Sequence, residues 1–214
     1  MTLDGFVPPL IVGGVAAVLL AWRYLSKRGK GGQVDWAIVC LLIALTGFLE
    51  WRMGRPLTYR NGPVRLWSGT VNSDQNSQQI ADPYTLTHLE HGAAFYGLTR
   101  LALRSASAGT CGIVAVAIEA AWESYENTNT VVERYRANTV SLGYYGDSII
   151  NSVADIVACI IGFALAWRLP RSATLAWVIA FEVILALWIR DNLALNVLML
   201  VYPLNAIRRW QMGL

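Results

Sequence analysis

The sequence predicts an all-α, polytopic membrane helix bundle, and both its composition and its apolar runs support that prediction. Of the 214 residues, 55% are hydrophobic and 14% are charged, whereas about 25% of residues are charged in typical soluble chains. Several apolar runs reach the roughly 20 residues that a helix needs to cross a hydrocarbon core about 30 Å thick. These observations exclude a soluble enzyme and a disordered tail, and they predict a single integral membrane domain over residues 1–214.

Six apolar runs are long enough to be membrane spans. The segment before the first run lacks the positive charge and cleavage site of a signal peptide, so we expect that run to stay as an anchor. The six predicted spans are 6–25, 34–53, 84–103, 108–127, 147–167 and 173–189. A short C-terminal apolar segment, 193–202, suits an interfacial or re-entrant helix as well as a tilted seventh span. The predicted bundle therefore has six spans, and a seventh is left open.

Two long loops, 54–83 and 128–146, leave the predicted spans on the same side. Loops longer than about 12 to 15 residues are uncommon unless they are functional or disordered. Aromatic side chains such as Trp67 and Tyr144 can form packed contacts in these loops, which favours an ordered lid over a solvated linker. The sequence has no internal repeat, so an inverted-repeat transporter has no support.

Lys and Arg in the short loops predict the orientation, because cytoplasmic loops carry an excess of them. With the N-terminus outside the cytoplasm, the cytoplasmic side holds eight of these residues and the outer side seven. The cytoplasmic set is Arg23, Lys27, Arg28, Lys30, Arg100, Arg104, Arg168 and Arg171, and the outer set is Arg52, Arg55, Arg60, Arg65, Arg134, Arg136 and Arg190. Arg208 and Arg209 join the cytoplasmic set if segment 193–202 crosses. We therefore predict an outside N-terminus, with both long loops outside.

The ionisable residues of the spans gather at one depth. Charged side chains inside a membrane are costly, so those present usually face the bundle interior or a water-filled cavity. In this chain the polar side chains recur at helical spacing within each span. They are His88 and His91 on the third span, Glu119, Glu123 and Glu126 on the fourth, and Asp147, Asn151 and Asp155 on the fifth. Because successive spans alternate in direction, these three faces lie in the same leaflet. We expect them to line a cavity that opens on the side of the long loops.

Three kinds of site fit these residues. His88, His91 and Glu123 can ligate a metal such as zinc, because two His and one carboxylate with an open position are typical of catalytic zinc sites. Alternatively, an imidazole acts as general base while a desolvated carboxyl among Glu119 and its neighbours acts as acid. A structural hydrogen-bond network between helices is the third interpretation. The candidate catalytic residues are His88, His91, Glu119, Glu123, Asp147 and Asp155.

The candidate substrate-binding residues lie at the mouth of the expected cavity and are Glu126, Asn151, Arg134, Arg136 and Arg190. The three guanidinium groups can grip a lipid phosphate, or they can be ordinary interfacial arginines. The chain lacks a dense basic block, so nucleic acid is not an expected partner. Its three cysteines lie in separate apolar runs, which fits neither a metal cassette nor a disulfide framework. Signatures of P-loop, zincin and α/β-hydrolase chemistry are also missing from the sequence.

Seven motifs lie within about residues 50–211, at 54–57, 66–73, 76–78, 88–96, 119–127, 144–155 and 190–203. Together they resemble an alphaproteobacterial multi-pass inner-membrane family that carries a placeholder UPF name, a domain of unknown function. The resemblance implies a bacterial inner-membrane location but no activity. Many members carry Cys-x-Cys after the Arg-Pro-Leu motif, whereas this chain has Thr58, Tyr59 and Arg60 there, which argues against an essential thiol.

A looser similarity is to VanZ-like proteins, in which a His-bearing helix, a Glu-bearing helix and an Asp-x-x-x-Asn helix follow in that order. This similarity implies cell-envelope lipids or lipid-linked precursors as substrates, by analogy of architecture alone. We therefore expect a protein with a periplasm-facing cavity that hydrolyses or transfers a group on a membrane lipid. The alternative is a noncatalytic binding or assembly protein, whose polar cluster is structural and whose loops dock a protein partner. A proton-coupled carrier is a third option, and the apolar inner halves of the spans do not favour it.

Overall fold

A computed structural model describes residues 3–25, 32–138 and 144–214 of the chain. In these residues the regular secondary structure is helical throughout. After a short 3₁₀ turn at Leu3–Phe6, the helices are α1 (Val7–Leu25), α2 (Gly32–Arg52), α3 (Thr85–Ala102), α4 (Ala108–Glu126), α5 (Asn129–Asn138), α6 (Ile149–Arg168), α7 (Arg171–Trp188), α8 (Leu193–Val201) and α9 (Asn205–Met212). The predicted all-α class is confirmed. Lys27, Arg28 and Lys30 of the orientation count lie outside the described residues.

Four helices, α1, α2, α6 and α7, are long and apolar enough to cross a membrane. They coincide with predicted spans one, two, five and six. Predicted spans three and four coincide with α3 and α4, which carry His88, His91 and the three glutamates and are correspondingly less apolar. The apolar helices support a membrane protein.

The closest packing in the bundle is between α3 and α6, which cross at two glycines. A Cβ on Gly92 would lie 2.1 Å from the Cys159 carbonyl oxygen, and a Cβ on Gly162 would lie 1.9 Å from the Leu89 carbonyl oxygen. Neither position can therefore carry a side chain at this helix separation. This contact holds α3 against the later half of α6, so that Thr85 at the start of α3 lies beside Asp155.

Helix α4 packs against α1 and α2 through an apolar core that includes Val12, Leu42, Ile113 and Ile156. A polar clamp fixes one end of this layer. The Arg23 guanidinium donates to Asp35 at 2.6 Å and to Thr110 at 2.9 Å, which joins the end of α1 to the starts of α2 and α4. At the opposite end, α3, α4 and α6 bring their polar faces together, and we call this the site end.

The loop 54–83 folds onto the start of α6. Ser148, which caps α6, donates its backbone N–H to the Ser77 carbonyl at 2.9 Å, and the Ile149 N–H donates to the Pro56 carbonyl at 2.8 Å. The Asn151 side chain donates to the Gln79 carbonyl at 3.0 Å. These bonds anchor the loop over the site end, which is the arrangement expected of an ordered lid.

The second loop, 128–146, contains a helix that the sequence did not predict. Helix α5 buries Val131, Val132 and Tyr135 against Tyr144. Its ten residues are mostly polar, so no apolar run marks them in the sequence. Arg55 ties the two loops together, since its guanidinium donates to the Tyr145 carbonyl and to the Asn129 side chain.

The C-terminal helices α8 and α9 return to the site end. Helix α8 has nine residues, which reach only about 13 Å at 1.5 Å per residue. The Gln211 side chain of α9 donates to Asp191 at 3.1 Å, and Arg190 donates to the Trp210 carbonyl at 3.3 Å. Because Asp191 precedes α8, the chain comes back to the level from which α8 starts. These contacts do not support a seventh span.

Candidate functional site

Two imidazoles share one buried carboxylate at the centre of the site end. His88 and His91 lie one turn apart on α3 and point at α4. The His88 Nδ1 lies 2.6 Å from Glu119 Oε1, and the His91 Nδ1 lies 3.0 Å from Glu119 Oε2. Glu119 is fully buried. When each Nδ1 carries its proton, Glu119 orients both rings and leaves both Nε2 atoms as acceptors.

Two more carboxyl groups complete this centre. Glu123, one turn after Glu119 on α4, places Oε1 3.3 Å from the His88 Nδ1. Asp155 of α6 places Oδ2 3.8 Å from the His88 Nε2 and accepts a hydrogen bond from the Thr85 hydroxyl at 3.2 Å. We call these five side chains, His88, His91, Glu119, Glu123 and Asp155, the histidine–carboxylate cluster.

A second polar centre surrounds Asp147 just before α6. Asp147 accepts from the Asn127 side chain at 2.8 Å and from the Tyr144 hydroxyl at 2.9 Å. Asn127 also accepts the backbone N–H of Asp147 at 2.7 Å and lies 3.5 Å from Glu50 at the end of α2. Asp147 is therefore held from two sides by neutral donors.

A cavity of about 390 Å³ opens beside the two centres. The polar side chains that line it are Asn76, Ser77, Tyr84, Thr87, His88, His91, Glu126, Tyr135, Tyr144, Asp147, Asp155, Asp191 and Asn196, and the apolar ones are Phe95, Ile118, Trp122, Leu193 and Val197. Polar and apolar walls in one cavity match an amphiphile, which needs both. The candidates His88, His91, Glu126, Asp147 and Asp155 are thus brought to one space.

The other candidate site residues do not line the cavity. Glu119 and Glu123 contact the imidazoles but are not among the lining residues, and Asn151 is used to hold Gln79 of the loop. The three candidate arginines contact backbone carbonyls instead of the cavity: Arg134 donates to Leu200, Arg136 to Tyr144 and Arg190 to Trp210. These contacts connect the loops to α8 and α9, and the grip of the guanidinium groups on a lipid phosphate stays a prediction.

The cluster also contains two sets of side chains with the spacing of metal ligands. His88, His91 and Glu119 form one set, and His88, Glu123 and Asp155 form the other, with the ligand atoms of each set within 4.8 Å of one another. The sequence predicted His88, His91 and Glu123 as the trio. The structure instead gives Glu119 the position between the two imidazoles.

Two carboxyl groups in the loops around the cavity have perturbed acidity. Burial raises the pKa of Asp191 to about 6, although hydrogen bonds from Asn192 and Tyr84 oppose the shift. Burial likewise raises the pKa of Asp82 to about 6, against backbone hydrogen bonds from Tyr84 and Ser77. Both groups therefore titrate closer to neutral pH than ordinary aspartates.

Several residues of the site end were not predicted from the sequence. Asn127 and Asn196 had appeared only within motifs of the family resemblance, and Tyr84 only as the start of a span. Glu90 lies buried on the other side of α3 from the histidines, facing Glu182 of α7. The one available signal was that Asn127 continues the spacing of Glu119 and Glu123 by one more turn.

The fold and the site together define a class: an all-helical protein with apolar, membrane-length helices and a buried histidine–carboxylate cluster at one end. A family model described as "Protein of unknown function (DUF2585)" matches residues 50–213. The chain therefore belongs to this alphaproteobacterial family, whose curated relatives are called UPF0314 proteins. The match includes every candidate site residue.

The relatives align over most of their length. The UPF0314 protein of Brucella anthropi is 47% identical over 194 residues, which cover 89% of this chain and 98% of the relative. That of Sphingopyxis alaskensis is 44% identical over 185 residues (86% and 98%), and that of Rhizobium meliloti is 46% identical over 179 residues (83% and 91%). No solved structure matches the chain.

Proposed function

We propose that this protein is a six-span inner-membrane enzyme that hydrolyses, or transfers a group on, an envelope lipid or a lipid-linked substrate. The observation that carries the proposal is the cavity, where His88 and His91 stand between polar and apolar walls. Helices α3 and α4 complete the six spans, because the polar residues that lower their hydropathy face the bundle interior, where a membrane protein keeps such residues. The loop 54–83 and the described parts of the second loop, 128–138 and 144–146, cover the cavity on the periplasmic side.

The chemistry that we assign is general acid and base catalysis. An imidazole Nε2 of His88 or His91 removes a proton from water or from an acceptor hydroxyl, and Glu119 stabilises the imidazolium that forms. Asp155 and Asp147 line the cavity and supply the acid for the leaving group. Glu119 and Glu123 are then positioning residues, since they contact the imidazoles and not the cavity.

The lining also suggests the head group of the substrate. In the part of the chain that the structure describes, the cavity wall holds four carboxyl side chains, Glu126, Asp147, Asp155 and Asp191, and no Lys or Arg. Carboxylates accept hydrogen bonds and repel anions. The wall therefore favours a head group rich in hydroxyl or amine donors, with the acyl part along Phe95 and Trp122.

A noncatalytic assembly protein is the second candidate, because the histidine–carboxylate cluster joins α3, α4 and α6 and would hold them together without any reaction. Lipid profiles of cells that lack the protein separate the two candidates. The deletion strain is complemented at matched protein level with wild type, Glu119→Gln or Glu133→Gln, the last being the same change on the exposed face of α5.

The enzyme proposal expects one envelope lipid species to accumulate in the deletion and with Glu119→Gln, but not with wild type or Glu133→Gln. Indistinguishable profiles in all four strains would overturn it. A lower protein level for Glu119→Gln, with function proportional to the remaining protein, would instead support the assembly candidate.

A further inference from the structure

The histidine–carboxylate cluster has the composition and spacing of a metal centre. Two imidazoles and three carboxyl groups come from three helices and lie within a few ångströms of His88. Two His and one or more carboxylates are a common donor set for divalent first-row metals, with zinc–nitrogen and zinc–oxygen bonds of about 2.0 to 2.2 Å. We propose that His88, His91 and Glu119 bind a divalent ion of the zinc class, with Glu123 next to the site on the His88 side.

The distances are those of a nearly formed site. Ligand atoms about 2.0 to 2.2 Å from a tetrahedral ion are roughly 3.3 to 3.6 Å from each other. The His91 Nδ1 lies 3.0 Å from Glu119 Oε2, and the His88 Nδ1 lies 3.3 Å from Glu123 Oε1 and 2.6 Å from Glu119 Oε1. An ion bound by the two Nδ1 atoms and Glu119 needs the His88 Nδ1 and Glu119 Oε1 to move apart by about 1 Å.

Glu123 supplies an independent observation. The side chain is 1% exposed, and its Oε1 accepts no hydrogen bond from any group in the described residues. A buried carboxylate oxygen without a donor is costly, because it has left water without gaining a partner. This oxygen points at the His88 Nδ1 and thus into the proposed site, where an ion would satisfy it.

Charge favours the same conclusion. Each of Glu119, Glu123 and Asp155 that is ionised brings a negative charge to a buried position. A divalent cation removes two of those charges, whereas isolated buried charges are strongly unfavourable. The proposal rests on the proposed function for its substrate and changes the base: an ion held at the two Nδ1 atoms would lie next to the cavity and would activate water there in place of an imidazole Nε2.

Metal content of the purified protein tests the site directly. The protein is purified in detergent through a tag without histidine, and zinc is measured by mass spectrometry before and after chelation and reloading with Zn²⁺. We expect about one zinc per wild-type chain and an increase in thermal midpoint on reloading. Glu119→Gln and His91→Gln should each lower the zinc content at least tenfold.

Glu90→Gln is the matched control, because Glu90 is equally buried and lies on α3 beside His91 but outside the cluster. It should keep the wild-type zinc content. Wild type that neither contains zinc nor gains zinc and stability on reloading would overturn the site, as would variants that keep wild-type content. The lipid profiles separate the two proposals. If the protein binds no zinc but its deletion gives the lipid phenotype, the enzyme proposal holds without the ion. If the protein binds zinc but its deletion gives no lipid phenotype, the metal site holds without the enzyme proposal.

Discussion

Asp191 connects three parts of the site end through one carboxylate. Its Oδ2 accepts from the Tyr84 hydroxyl at the start of α3, and its Oδ1 accepts from Gln211 of α9 and from the Asn192 backbone. Burial raises its pKa to about 6, so the charged form is disfavoured in the folded protein despite these donors. The residue holds α9 in place at some cost in stability at neutral pH.

That cost predicts a pH dependence. The folded pKa lies above the ordinary value of 3.8, so the folded chain binds the proton more tightly than the unfolded chain. The contribution of Asp191 to stability is therefore complete below about pH 4 and is lost as the pH rises to about 6. Asp191→Asn keeps an acceptor without the charge. We expect the variant to flatten the decline in thermal midpoint over that window and, at pH 7, to be more stable by at most about 3 kcal/mol.

Asp74→Asn provides a comparison with the opposite sign. A hydrogen bond from the Tyr59 hydroxyl lowers the pKa of the exposed Asp74 carboxyl, so its contribution is lost as the pH falls below about 4. Thermal unfolding in detergent between pH 3 and pH 8 measures both variants. Equal slopes between pH 4 and pH 6 for wild type and Asp191→Asn would contradict the assignment.

At the scale of helices, the sequence predicted the long helices well, because an apolar run of membrane-spanning length also marks the length of a helix. All six predicted spans correspond to α-helices whose ends differ from the prediction by a few residues at most. Helix α5 was missed, since a ten-residue polar helix has no such constraint and depends on tertiary contacts made by residues such as Val131 and Tyr135. The crossing of α3 and α6 was also not predicted, because glycine spacing on two helices does not say that they meet.

This crossing supports a prediction about packing. A Gly162→Ala methyl group would overlap the Leu89 carbonyl, so α3 must move away from α6, and His88 must move away from Asp155. We expect a loss of at least about 2 kcal/mol in unfolding free energy. Gly97→Ala is the control, because nothing lies within 4 Å of its added Cβ and alanine favours a helix interior by about 1 kcal/mol.

Denaturation in mixed micelles compares the two alanine variants under the same conditions. Gly97→Ala should be as stable as wild type or slightly more stable. If Gly162→Ala were as stable as Gly97→Ala, the close approach of α3 and α6 would be wrong. The position of His88 relative to Asp155 would then be wrong as well.

Over the whole molecule, the alternation of span direction was sufficient to predict that three polar helix faces would meet. The predicted meeting of His88, Glu119 and Asp155 appears in the structure. The arrangement within the site could not be predicted, because the rotation of each helix decides whether a carboxylate lines the cavity or lies behind an imidazole. The same holds for the arginines, whose carbonyl partners are set by the fold of the loops and of α9.

The position of α9 also changes the charge balance across the membrane. Gln211 and Arg190 hold this helix at the site end, so Arg208 and Arg209 join the side of the long loops. That side then carries nine of the 17 Lys and Arg residues and the opposite side eight. This excess of one reverses the eight-to-seven excess from which the orientation was predicted, and the periplasmic position of the cavity stays a prediction.

Single cysteines in a variant without the three native thiols test the topology. We expect Thr70→Cys in the first long loop and Met212→Cys in α9 to react with a membrane-impermeant maleimide in intact cells, because both lie on the cavity side. Ser105→Cys, between α3 and α4, should react only after permeabilisation. If Met212→Cys behaved like Ser105→Cys, the chain would cross the membrane after α7, and the return of α9 to Asp191 would be wrong. If all three patterns were inverted, α9 and the loops would still share a side, but the cavity would open to the cytoplasm and its substrate would come from that leaflet.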